Sequence, residues 1–228
     1  NAYNAALEDA KQAARQGIAS QLTPDSTNTQ APVPAALADV YKAAANDAQK
    51  GYAEGLTGKS VSNGNNTSES NGFQKGSGDA AAYEAAVQDY ANANGDVNAA
   101  KSAHPEKAND SVYQETLKAL DEGAKGNTDS NDKSPVYAVA NSQALAKKAA
   151  MDAIKAANTS ANGTVPSRIN SINDVPAGVS DKQSYMNAYN DAIKGYNAGK
   201  DDNPSVTADN SDPADQQAFK DAKAAGEA

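Results

Sequence analysis

Cysteine is absent from this 228-residue chain, which excludes a disulfide framework, a thiolate metal site and a thiol nucleophile. Tryptophan is absent too, and the single histidine, His104, rules out metal triads built on two or more imidazoles. Large apolar side chains are scarce: seven Leu, five Ile, twelve Val and two Phe. A charged chain with so few of them, well under the roughly 20% guideline, is by default expected to be disordered. Basic charge is in deficit as well. A net charge of −9 disfavours nucleic acid, which needs clustered Lys and Arg, and disfavours an anionic membrane surface. No apolar run approaches the ~20 residues that span a bilayer, and no signal peptide is read at the start.

Alanine changes the expectation. It has the best helix propensity and fills a tight interface without loss of side-chain entropy. Ten tyrosines supply most of the large side-chain surface available for burial. The two combine in one motif. Tyr185, Ala188, Asp191-Ala192, Gly195-Tyr196 and Gly199 repeat the spacing of Tyr41, Ala44, Asp47-Ala48, Gly51-Tyr52 and Gly55. The first Tyr and the Ala and Gly positions fall on one narrow stripe of a helix. Glycine inside a helix costs roughly 1 kcal/mol against alanine, so two on one stripe predict close approach of a neighbouring helix.

Weaker copies start at Tyr3, Tyr83 and Tyr113, run through Ala149 to Ala156 in a segment beginning near Pro135, and end with Ala218 to Ala225. Asp89 to Ala119 and Asp191 to Asp221 are each 30 residues apart, and the corresponding longer gaps are 102 to 110 (Asp47 to Asp152 is 105). These spacings predict an all-α protein of elongated, tandem three-helix-bundle repeats, about 105 residues each. The expected division is 1–105 and 106–204, with 205–228 a terminal helix that starts a third repeat. Asp79, Asp181 and the run Asn109-Asp110-Ser111 are read as N-cap residue types, Pro213 as a first-turn residue, and Gly55, Gly126 and Gly199 as helix ends. Residues 58–78 and 159–180 read as long polar loops, with short extended pieces at Val33 and from Ile169 to Val175.

Chemistry is thinly represented. His104 precedes Pro105 in a linker, where a solvated polar role is expected. Asp129-Ser130-Asn131-Asp132 lacks the glycine and glutamate of a calcium loop, and Asp201-Asp202-Asn203 reads as helix capping. The repeated Asp9, Asp47, Asp89, Asp152, Asp191 and Asp221 flank the stripe, where each would pair with Lys or accept a tyrosine hydroxyl from the next helix. Tyr3, Tyr41, Tyr83, Tyr113 and Tyr185 are expected in the core, whereas Tyr52 and Tyr196 lie off-centre and are the surface-binding candidates. Sequons stand at Asn65, Asn66, Asn109, Asn158 and Asn162. The expectation is a protein that is not an enzyme, with no catalytic, cofactor or metal residues.

Tandem Tyr-x-x-Ala-x-x-Asp-Ala-x-x-Gly-Tyr-x-x-Gly segments, joined by Asn/Ser/Thr/Asp loops, resemble the helical repeat regions of cell-wall-anchored surface proteins of Gram-positive lactic acid bacteria. That resemblance implies an exported, wall-attached, extracellular adhesin of which this chain is an internal fragment. The implied function is a stalk or spacer. The alternative is an adhesive module that recognises host glycan, host glycoprotein or matrix protein through a helix face or the loops. A stress-protective, largely disordered chain is a third expectation from composition.

Overall fold

The computed structural model describes residues 38–132, 134–159 and 164–227. Within them the chain forms seven α-helices: α1 (Ala38–Leu56), α2 (Thr67–Asn92), α3 (Val97–Ala103), α4 (Ser111–Ala124), α5 (Pro135–Thr159), α6 (Lys182–Lys200) and α7 (Pro213–Glu227). Two 3-10 turns, Pro105–Lys107 and Ile172–Asp174, complete the elements, and no strand occurs among the described residues. The chain is therefore all-α. The copy beginning at Tyr3, Val33 and the sequon at Asn162 lie outside the described residues. Two compact units form, one from residues 38–81 with 134–136, the other from 82–132 with 137–227.

In the first unit α1 packs on the first half of α2. A methyl group built on Gly51 or Gly55 would overlap the backbone carbonyl of Glu69 or Phe73, and one on Gly72 or Gly76 would overlap that of Ala48 or Tyr52. Four glycines thus face each other along one seam, so the two backbones touch with no side chain between them. This explains a correction. Thr67 to Gly78, expected as loop, is the opening half of the 26-residue α2. Its three glycines lower local helix propensity, but Gly72 and Gly76 are what allow α1 to approach. Tertiary contact outweighs the local preference here.

The second unit repeats the arrangement. Gly195 and Gly199 of α6 meet the carbonyls of Phe219 and Lys223 of α7, and Gly226 meets that of Tyr196. Gly123 of α4 meets α5, where an added methyl would sit 2.7 Å from the Asn141 carbonyl oxygen and 2.6 Å from the Ala144 Cβ. Gly51, Gly123 and Gly195 stand 72 residues apart (51, 123, 195). So do Tyr41, Tyr113 and Tyr185, and Ala44, Thr116 and Ala188. The unit of recurrence seen in the contacts is a helix pair: α1 with α2, α4 with α5, α6 with α7.

Helix ends follow their chemistry. Asp96, Asp110 and Asp181 cap α3, α4 and α6 by accepting backbone N–H bonds, and Gly126 follows α4 with φ of +82°. α7 begins at Pro213. Asp79, expected as a cap, instead lies inside α2. Gly55 and Gly199, expected as helix ends, lie within α1 and α6 at the contact seams. The Ile169–Val175 stretch ends in a 3-10 turn with Ser171 as its cap, not in an extended strand.

Three substitutions separate seam glycines from ordinary ones. Gly51→Ala and Gly195→Ala lower unfolding free energy by about 1–3 kcal/mol through overpacking against backbone. Gly78→Ala, in the same helix as Gly72 but with nothing within 4 Å of the new methyl, raises it by about 0.4–1 kcal/mol. Urea denaturation followed by circular dichroism reads both. Equal effects at Gly51 and Gly78 would contradict the seam.

Candidate functional site

Two of the repeated aspartates, Asp47 and Asp191, close the loops between paired helices. Asp47 Oδ2 accepts from the Asn66 side-chain amide at 2.7 Å, and Asn66 Oδ1 in turn caps α2 by accepting from Ser68 and Glu69 N–H. Asp191, 72 residues on, is fully buried and repeats the clasp. It accepts from the Asn210 amide at 2.7 Å and from the backbone N–H groups of Asp209 and Asn210. The middle pair has Ala119 at this position. There Asn141 reaches from the partner helix and donates to the Ala119 and Asn127 carbonyls. Asp152 differs: it is an exposed residue paired with Lys148 at 2.6 Å.

Asp89 shows the expected tyrosine pairing. Its Oδ2 accepts from the Tyr113 hydroxyl at 2.7 Å and lies 2.5 Å from His104 Nδ1. His104, expected to be solvated, is thus tied to a buried carboxylate while its side chain stays 43% exposed. The Tyr113 ring is buried and its hydroxyl is also 2.9 Å from the Ala100 carbonyl oxygen. Each of the three groups is taken up by its neighbours, and the cluster joins α2, the α3–α4 connection and α4. It holds them together.

The tyrosines carry most of the buried bulk. Tyr83, Tyr113 and Tyr185 are core residues, as expected. Tyr52 and Tyr196, expected at the surface, are also buried, at 0% and 2% exposure. The correction has a simple cause: each follows a seam glycine, and the close approach of backbones wraps the next residue. The Tyr52 hydroxyl donates to Asp79 at 2.6 Å, and that of Tyr196 bonds Asn158. Tyr83 donates to Gln143 Oε1 at 2.6 Å and lies 3.2 Å from both oxygens of Asp212, a buried carboxylate that caps α7. Burial first, and then the facing carboxylates, push the Tyr52, Tyr83 and Tyr113 hydroxyls well above the ordinary tyrosine range.

The Asp129–Asp132 loop is an Asx turn occupied by a protein cation. Lys118 Nζ lies 2.7 Å from Asp132 and 3.6 Å from Asp129, and 5.0 Å over the Tyr137 ring. Burial and the neighbouring Asp132 push the nearby Glu115 carboxyl up to about 8. Asp201 ends α6 and Asp202 adopts φ of +47°, the capping role expected of that run. Among the described residues, no group of three or more His, Asp and Glu is disposed to hold a metal ion, and no helix is long and apolar enough to cross a membrane.

Among the described residues, a concavity within the second unit is large enough for a small ligand. A partly open cavity of about 230 Å³ is walled by Val87 of α2, Leu120 and Ala124 of α4, and Ala144 and Met151 of α5. Lys147, Lys148 and Gln217 stand at its polar side. Lys147 is paired with Asp221 and Lys148 with Asp152. None of these residues was a sequence-level candidate; the signal that could have found them is the 72-residue recurrence, which aligns Ala124 with Tyr52 and Tyr196. No protein-family model, curated protein or solved structure matches this chain.

Two measurements test these assignments. Asp191→Ala strips a buried acceptor from three donors and lowers stability by about 2–3 kcal/mol, whereas Asp152→Ala at an exposed pair changes it by less than about 1 kcal/mol; comparable losses would refute the clasp. The tyrosines set an alkaline limit. Their folded pKa values lie above the ordinary 10.0, so the stability they contribute is complete below pH 10 and is lost as pH rises further. Helical circular dichroism is expected to fall together with the rise of phenolate absorbance. Ionisation of all ten tyrosines with helix content intact would overturn this.

Proposed function

We propose that this chain is a non-catalytic helical-repeat spacer from a wall-attached, extracellular adhesin of a Gram-positive bacterium. The observation that supports it is the recurrence, three times at one interval, of a helix pair closed by glycine–carbonyl contacts, two of them with the same aspartate–asparagine clasp. A part repeated with its internal contacts conserved in kind suits a load-spanning array better than a single reactive site. The resemblance to helical repeat regions of surface adhesins supplies the setting.

The grouping into elongated three-helix units of about 105 residues, divided at 105 and 204, is proposed from the sequence spacings and not from the helix pairs. A helix-pair array divides instead near residues 93–110 and 160–181. Limited proteolysis separates the two groupings, because only the first places a preferred cut near residue 204 and none between α5 and α6. Small-angle scattering tests the spacer itself: an elongated particle is expected, and a compact sphere defeats the proposal.

The alternative, an adhesive module binding host glycoprotein or matrix protein through a helix face or loop, draws on the cavity of the middle pair. An array of mucins, matrix proteins and immunoglobulins distinguishes them. The spacer is expected to bind none, and saturable binding to any would favour the module.

A further inference from the structure

The cavity beside α4 lies at the one helix pair whose tyrosine is missing. In the first pair, Tyr52 follows the seam glycine and its hydroxyl donates to Asp79 across the pair at 2.6 Å. In the third pair, Tyr196 follows the seam glycine and bonds Asn158. In the middle pair the residue after Gly123 is Ala124, and the counterpart of Asp79, again 72 residues on, is Met151. Both Ala124 and Met151 line the cavity. The void therefore borders the two positions that hold a tyrosine and its carboxylate partner in the first pair.

We propose that this cavity is a binding site for a free, neutral, phenol-sized aromatic molecule. Size fits: the volume of about 230 Å³ is below the ~300–1,000 Å³ of sites for drug-sized ligands and above the roughly 150 Å³ at which an apolar void stays dry and takes benzene. Chemistry fits as well. The walls include Val87, Tyr90, Leu120 and Met151 with one amide, Gln143, and a thioether makes favourable contact with an aromatic ring. Neutrality follows from the rim, where the Lys147 and Lys148 charges are already balanced by Asp221 and Asp152. An anionic ligand would have to break those pairs.

The probe is p-cresol, the tyrosine side chain as a free molecule, titrated into the whole chain and followed by amide chemical shifts. Saturable shifts centred on Val87, Leu120, Ala124 and Met151 are expected, with affinity in the millimolar range. Cyclohexanol, of similar size without the ring electrons, is expected to bind at least several-fold more weakly, and benzoate likewise. Ala124→Tyr supplies the missing ring and is expected to abolish p-cresol binding while retaining the helical spectrum. Met151→Phe gives a second, independent block should the first variant fail to fold. Absence of saturable shifts in the unmodified chain overturns the proposal. So does p-cresol binding that survives a folded blocking variant, or equal affinity for cyclohexanol.

Discussion

Contact between a glycine Cα on one helix and a peptide carbonyl on the next sets the spacing of the paired helices. Helices normally keep 8–10 Å between axes because side chains intervene. At Gly51, Gly72, Gly195 and Gly226 no side chain does, and a single methyl group would strike backbone. A chain so poor in leucine and isoleucine cannot fill a wide interior. Bringing the backbones together removes the need to fill one, and dispersion between main chains replaces part of the missing apolar burial.

What bulk remains is tyrosine, and tyrosine brings a hydroxyl that must be satisfied once the ring is buried. The molecule meets this demand with acidic and amide groups: Asp79, Asp89, Gln143 with Asp212, and Asn158. Excess negative charge is thus partly internal. Asp191 and Asp212 are fully buried, where they receive backbone and amide donors and fix how a loop enters the following helix. Such buried networks reward one arrangement and penalise near misses, since an unmet donor or acceptor in the interior costs more than the bond gains.

Much of the helix content was legible in the sequence because the Tyr-Ala-Gly stripe is periodic and the caps Asp110 and Asp181 are of the usual type. The seam glycines of the stripe itself, Gly51 and Gly195, were legible for the same reason, whereas Gly72, Gly76 and Gly226 were not. The opening half of α2 was not. Ser68 to Gly78 is polar and glycine-rich, and its helicity depends on a partner thirty residues of chain cannot reveal by propensity alone. The same blindness misplaced Tyr52 and Tyr196, since an off-stripe position is exposed on an isolated helix but enclosed once two backbones touch. The clasp partners Asn66 and Asn210 sit in loops with no period to mark them. The 72-residue interval was masked by the degenerate middle copy, in which Ala119, Ala124 and Asn127 replace Asp, Tyr and Gly.

The helix pairs also bear on how the chain comes to be folded. Seam partners are near neighbours along the polypeptide: Gly51 with Glu69, Gly123 with Asn141, Gly195 with Phe219. Short loops carry little closure entropy, and topologies dominated by such local contacts fold fast. Each hairpin can assemble as soon as its own residues emerge from a ribosome, without waiting for distant sequence, so the growing chain would gain structure pair by pair.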